Sequence, residues 1–421
     1  MDTSIKNTYY KFFLSMISLL LLSHSSYAQE SQMKVQEYFE IAVENNPGLQ
    51  SDYKAYEAAL QKLPQVSTLA DPNFSIGYFI SPVETRVGPQ LAKFSLSQMF
   101  PWFGTLKANE NVAALEAEAY FQNFLDSRNK LYWKVAQSYY DILENQELQK
   151  LEKENIEILH EYKALSERKL SSSKASMVDV LRVDIMIDDA ETELSLLEDK
   201  YQPLLTAFQN ILNSETEPEF NSIPDVKGFE PEMSVDTALQ SHPLVQFIDY
   251  KRESSQERIE SIRKQSLPKI GVGLDYVVVG ERNDVTLSDN GQDVLMPMVS
   301  ISLPIFRKKY KAQVKEAELI QEQYQLKKQN VINDLSTEYS STVYEINKQA
   351  EYISLYQRQI EKVNNTLSIL EKTYAASGVE FEELLRSRQQ LLKYQKLETL
   401  AKAKQATLIE KYNYLTSKRQ L

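Results

Sequence analysis

The 421-residue chain contains no cysteine. That excludes disulfides, thiolate metal centres and an acylated N-terminal cysteine, so any hold on a membrane has to come from the fold. Long apolar runs are also scarce. The run from Phe12 to Leu22 falls short of the ~20 residues that a membrane-spanning helix needs, and no other stretch approaches that length. Lys6 and Lys11 precede the run and Ser26-Tyr27-Ala28 follows it, so residues 1–28 read as a secretory signal peptide cleaved after Ala28. A membrane anchor is the alternative. Removing the leader's net charge of +1 (Asp2, Lys6, Lys11) takes the chain from −12 to −13, a sign that argues against nucleic acid as a partner.

Catalytic groups are equally thin. The three histidines are His24 in the leader, His160 and His242. No phosphate-binding glycine loop, nucleophile elbow or metal-ligand cluster accompanies them, so neither an enzyme nor a cofactor is expected. Met296-Pro297-Met298 offers soft thioethers, but a strand or barrel rim explains it better than copper, and no metal site is assigned. What remains is an exported protein that is either soluble in the periplasm or embedded as β-strands.

Glycine and proline are distributed unevenly: neither occurs between Gly104 and Pro203, and after Pro304 only Gly378 remains. From Leu106 to about Ser171 the chain can form a helix roughly 100 Å long. Its partners are indicated by Ile346, Ala350, Ile353, Tyr356, Ile360, Val363, Leu367, Leu370 and Tyr374, which advance by alternating threes and fours as in a coiled-coil seam. Val135, Ser138, Ile142, Leu148, Leu151, Asn155, Ile158, Tyr162 and Leu165 predict the same for the first long helix.

An internal repeat organises the whole. Ala42, Pro47, Gln50 and Pro72 recur as Ala238, Pro243, Gln246 and Pro268, at an offset of 196. Leu181-Arg182 recurs farther on as Leu385-Arg386. The expected domains are a first repeat at 29–202 (hairpin about 73–100, long helices about 105–202), a linker or equatorial region at 203–233, packed outside the helices, and a second repeat at 234–421 (hairpin about 269–303, long helices about 305–418).

Each repeat holds one pair of candidate strands. Ile270, Val272, Leu274, Tyr276 and Val278 alternate with Lys269, Gly271, Gly273, Asp275 and Val277, and Leu295, Val299, Ile301 and Leu303 alternate with Met296, Met298, Ser300 and Ser302. Phe74, Ile76, Tyr78 and Ile80, then Phe94, Leu96, Gln98 and Phe100, supply the first pair. An ordinary half-exposed hairpin is the bland reading of either pair alone. In lipid, four strands cannot close, because the smallest membrane barrels have ~8 and an open edge leaves backbone groups unsatisfied. Three chains of four strands each would supply twelve.

These residues resemble the TolC-like outer-membrane efflux proteins over essentially the whole mature chain. Ser95-Leu96-Ser97-Gln98-Met99-Phe100-Pro101-Trp102-Phe103-Gly104 looks like that family's strand-to-helix junction, with Leu303-Pro304-Ile305-Phe306 its counterpart. Junction residues are thus Pro101, Trp102, Gly104 and Pro304. Val178-Asp179-Val180-Leu181 and Glu382-Glu383-Leu384-Leu385 resemble the turn at the periplasmic mouth, where acidic side chains narrow and charge the entrance of relatives. The resemblance places Asp179, Leu181, Arg182, Glu382, Glu383, Leu385 and Arg386 at that entrance. Arg182 and Arg386 depart from the family's second acidic residue, and a local Glu383–Arg386 pair is the alternative to an acidic ring.

The resemblance implies an α+β membrane protein, a homotrimeric twelve-stranded β-barrel continued by a helical coiled-coil barrel, in the outer membrane and extending into the periplasm. Its implied work is passive conduction of small molecules or metal ions, joined by a periplasmic adaptor to an inner-membrane transporter and held by outer-membrane lipid. A type I protein-secretion duct and an exported coiled-coil scaffold are the alternatives.

Overall fold

The structure, a computed structural model, describes residues 26–418 apart from 173–175, 216–218, 220–221, 227, 232–234, 285 and 378–380. The expected signal peptide thus lies almost wholly outside the described residues, and its last three begin the first helix. The order is α1 (Ser26–Asn45), α2 (Pro47–Leu60), α3 (Lys62–Ser67), β1 (Asn73–Val83), β2 (Gln90–Phe100), α4 (Thr105–Ser171), α5 (Met177–Leu212), α6 (Val235–Gln240), α7 (Pro243–Gln265), β3 (Lys269–Val279), β4 (Val294–Ser302), α8 (Arg307–Ser377) and α9 (Phe381–Leu415). The breaker-free runs became helices of 67 and 71 residues. At 1.5 Å per residue each is roughly 100 Å long.

The chain divides into two compact units, one of Met1–Ser51, Leu125–His242 and Asn333–Leu421, the other of Asp52–Phe124 and Pro243–Ile332. In the first, α4, α5, α8 and α9 share one core. Leu159 and Tyr162, Val183, Ile187 and Ala190, Val363, Leu367, Leu370 and Tyr374, and Phe381, Leu384, Leu385 and Leu391 pack together. The α8 seam lies where its spacing predicts, with Ile346, Ile353, Val363, Leu367, Leu370 and Tyr374 buried.

The α4 seam departs from its prediction past Ile142. The buried stripe there runs Asn145, Leu148, Glu152, Asn155, Leu159, Tyr162, Ser166 and Lys169, while Leu151, Ile158 and Leu165 lie half-buried on its flank. Several of these polar groups enter the core because each finds a partner there. Asn145 and Gln149 donate to the Leu197 carbonyl (3.0 and 3.2 Å), and Glu152 is paired with Lys396. An apolar count cannot see such a seam.

Pro203, taken from sequence as the start of the linker, lies inside α5, which continues to Leu212. Phe208 and Leu212, both fully buried, hold this last stretch, and Tyr38 meets Phe208 edge-on at 5.3 Å. The helix stops where Asn213 turns left-handed (φ 49°) and Ser214 N donates to Gln209 O (3.2 Å). Beyond it, Glu219 N donates to the Tyr38 hydroxyl (2.7 Å) and Phe229 meets Tyr412 edge-on at 5.1 Å.

The second unit carries the sheet. Its order is β1-β2-β3-β4, antiparallel throughout, so the two hairpins join through β2 and β3. Prolines bracket both hairpins: Pro72 and Pro101, Pro268 and Pro304. Lacking an N–H to donate, each ends a ladder.

Candidate functional site

Cross-strand register turns the alternation into two faces. Phe74, Leu96, Leu274 and Pro297 lie in one row, and Ile76, Phe94, Tyr276 and Leu295 in the next. Most of these side chains are exposed, and Ile80 reaches 92 %. The opposite face is small or polar on β1 to β3 and carries methionine on β4: Ser75, Ser95, Asp275 and Met296 share a row, and Lys93 pairs with the fully buried Asp275. Met296 and Met298 both sit in paired β4 positions on that face, opposite Asp275 and Gly273.

Both outer strands have a free edge among the described residues, and every residue of β4 is exposed. An oily face between two open ladders is a liability in water, because exposed edges pair with other chains. Strands of 9 to 11 residues suit a tilted crossing of a bilayer.

At one end of the sheet the two hairpin loops are knitted together. Gly280 N donates to Pro89 O and Gly291 N to Val87 O, both at 2.7 Å, and Arg86 is paired with Asp289. Only glycine fits at 88: its φ is +137°, and a Cβ there would lie 1.7 Å from the Gly280 carbonyl oxygen.

At the other end are the strand-to-helix junctions. Pro101 ends β2, Gly104 takes φ +77°, and the helix opens with Thr105 N bonding Trp102 O (3.0 Å) and Ala108 N bonding Gly104 O (3.0 Å). The second junction has no glycine. After Pro304 it turns with Ile305 N on Leu303 O (2.9 Å) and Arg307 N on Ile305 O (3.0 Å). Both junctions leave large apolar side chains uncovered, Phe103, Ile305 and Phe306 most of all.

At the far end of the long helices, Ser176 and Asp179 form a reciprocal capping box at the start of α5: Asp179 N donates to Ser176 Oγ (3.3 Å), and Ser176 N to Asp179 Oδ2 (2.9 Å). The side chain expected to charge an entrance is thus engaged in holding its own helix. Glu382 is bound twice, by Arg182 (2.9 Å) from α5 and by Arg386 (3.3 Å), which also lies 3.7 Å from Glu383. The expected Glu383–Arg386 contact is therefore present, with Glu382 the nearer partner. Leu385 is buried and its repeat partner Leu181 is 49 % exposed. The connecting residues 173–175 and 378–380 lie outside the described residues.

Two groups at this end have weak sequence signals. Lys169, buried, donates to the carbonyls of Tyr374 (2.6 Å) and Ala375 (3.4 Å) and lies 4.7 Å from the Tyr374 ring centre. It thereby caps the end of α8, whose last carbonyls lack helical partners. In sequence it is one more basic residue of a last turn. The Tyr162 hydroxyl donates to Glu371 (3.0 Å), and burial followed by that bond pushes its pKa well up.

At the opposite end of α9, burial raises Glu410 to about 7, although Asn413 donates to it (3.1 Å). Burial lowers His242 to about 4, with Nδ1 3.9 Å from Asp126 and the Tyr414 ring edge-on at 5.4 Å.

Residues 234–410 match the family described as Outer membrane efflux protein. No curated protein matches the chain. Among solved structures it is similar to CusC, described in connection with transmembrane channel formation (17 % identity, 91 % of this chain, 92 % of that one, TM-score 0.74). It is also similar to VceC of Vibrio cholerae (15 %, 92 % and 97 %, 0.74) and to the open state of the MtrE outer membrane channel of Neisseria gonorrhoeae (15 %, 91 % and 89 %, 0.73). At such low identity these likenesses speak for the fold, while the family match covers the second half. Residues 234–410 thus carry the Outer membrane efflux protein match, and the chain as a whole shares the fold of these outer-membrane channels.

Proposed function

We propose that three copies form the exit duct of a tripartite efflux system, which conducts small molecules or metal ions passively from a periplasmic adaptor and inner-membrane pump to the exterior. The observation that carries this reading is the four-stranded sheet with two open edges and one oily face. In lipid its backbone groups are satisfied only if β1 of one copy meets β4 of the next, and three copies close a twelve-stranded barrel. The matching order of elements in the two halves supports two repeats, the first running on through α5 to Leu212 and the second starting at about residue 234, and on the family resemblance we assign Asp179, Arg182, Glu382 and Arg386 to the periplasmic entrance.

The test is a cysteine pair in this cysteine-free chain, Ser75→Cys in β1 with Ser300→Cys in β4. Oxidation in outer-membrane vesicles is expected to yield a ladder ending at a trimer, and the purified protein is expected to form conducting channels in planar bilayers. A monomer only, or no conductance, would contradict the duct.

A further inference from the structure

The two strand-to-helix junctions differ sharply in charge. From Ile305 to Lys315 the chain carries Arg307, Lys308, Lys309, Lys311 and Lys315 and no carboxylate, whereas after Pro101 it carries only Lys107 before Glu110. In a chain of net charge −12, such a cationic concentration calls for an anionic counterpart.

The neighbouring packing gives it a place. α7 and α8 meet through Ile259, Ile262 and Ala317, flanked by Tyr310 and Val314. Beside that contact an open pocket of about 430 Å³ is lined by apolar Ile262, Tyr310 and Val314, by Ser266, and by charged Arg263, Arg307, Lys311, Lys315 and a single acid, Glu318. Arg263 and Lys315 have local acids, Glu260 (2.5 Å) and Glu318 (3.2 Å). Arg307 donates to the neutral Ser266 carbonyl (3.1 Å), and Lys311 forms no ion pair among the described residues. Net positive charge is left over at the rim.

Helical phase says which way the pocket looks. Arg307, Lys311, Val314 and Lys315 recur at intervals of three and four on one side of α8. Lys309 and Gln313, on the opposite side, line a separate pocket with Lys269, which continues the polar face of β3. The basic pocket therefore lies away from that polar face, just past the exposed Leu303, Ile305 and Phe306.

We infer that this pocket holds the head of an anionic glycerophospholipid from the periplasm-facing leaflet. Its phosphate meets Arg307 and Lys311, its glycerol rests on Ile262, Tyr310 and Val314, and its acyl chains run along Ile305 and Phe306. A guanidinium fork suits phosphate oxygens, and basic pockets beside a membrane surface attract anionic heads. The inference rests on the oily sheet face being lipid-facing.

The test uses the full-length protein in non-ionic detergent, with lipid retention followed by native mass spectrometry. Phosphatidylglycerol is expected to be retained about tenfold more strongly than phosphatidylcholine, the scale of one or two cationic contacts at a lipid surface. Arg307→Gln combined with Lys311→Gln is expected to abolish that preference, and Lys150→Gln on α4 to leave it intact. Equal retention of the two lipids by the unaltered protein would overturn the proposal, as would an undiminished preference in the double variant. Displacement of phosphatidylglycerol by millimolar inorganic phosphate would also overturn it, in favour of a free-anion site. Should the double variant fail to insert, competition between the two lipids on the unaltered protein decides the matter. Loss of conductance bears on the duct, whereas loss of lipid preference in a conducting protein bears on this pocket alone.

Discussion

The beginnings of α5 and α9 carry the same repeat motif but bury it to different extents. In α9, Phe381, Leu384 and Leu385 turn into the four-helix core, and Phe381 stacks on Tyr374 with ring centres 4.6 Å apart. In α5, Val180 and Val183 are buried too, but Met177, Val178, Leu181 and Ile185 stay exposed. A heptad position thus fixes a side chain's phase on the helix without saying whether a partner covers it. The exposed start of α5 is apolar surface that the proposed assembly would cover, whereas the start of α9 is already spent on the chain's own core.

The largest expected effect tests this asymmetry directly. Leu385→Asp places a charge in a site only 4 % exposed and should cost about 4 kcal/mol, by loss of apolar burial and by carboxylate desolvation. Leu181→Asp should cost under about 1 kcal/mol within one chain, because that position is already half in water. Denaturant unfolding followed by circular dichroism measures both, and equal losses would erase the distinction. Leakage of an antibiotic into cells carrying Leu385→Asp is the functional readout.

The two ends of α9 differ as well. Its first acids, Glu382 and Glu383, are exposed and paired, whereas Glu410 near its end is buried. Because the folded protein holds Glu410 at about 7, above its ordinary 4.5, it favours the fold when protonated. That contribution is complete below about pH 4.5 and is lost as pH rises through 7. Glu410→Gln should therefore flatten the pH dependence of stability between these limits by roughly 3 kcal/mol. His242, held at about 4 by burial, acts in the opposite sense: its contribution is complete above about 6.5 and falls away toward pH 4. Unfolding midpoints of both proteins at pH 5 and pH 8 check the sign, and an unchanged difference would dismiss the role of Glu410.

Smaller effects separate buried from exposed charge at the turn. Lys169→Ala removes the donor to two carbonyls at the end of α8 and should cost about 1–2 kcal/mol. Arg182→Ala breaks only an exposed pair with Glu382, which should cost under about 0.5 kcal/mol. If Arg182→Ala proved the more damaging in the same unfolding series, this end of the helices would depend on surface pairing rather than on its core.

Much of the fold was legible because it rests on local periodicity. Alternation over Ile270–Val278 and proline at both ends mark the strands, and the absence of breakers marks the long helices. The polar seam of α4 was not legible: Asn145, Glu152 and Lys169 read as solvated until Leu197, Lys396 and Tyr374 are brought to them. At the candidate entrance, Asp179 read as an acidic side chain charging the mouth, yet it closes a capping box with Ser176. The helix through Pro203 was hidden too, because proline normally ends one and here Phe208 and Leu212 hold it by packing.

By itself, then, the sequence determined the breaker-free spans of the two longest helices, the alternation of the strands and the absence of thiol chemistry, since each follows from composition or from neighbours along the chain. Only the tertiary structure decided which repeated position is buried, which charges are paired and where basic residues converge on a pocket. Those outcomes depend on residues far apart in sequence, such as Arg182 with Glu382 or Ile262 with Tyr310, whose meeting is set by how the helices pack.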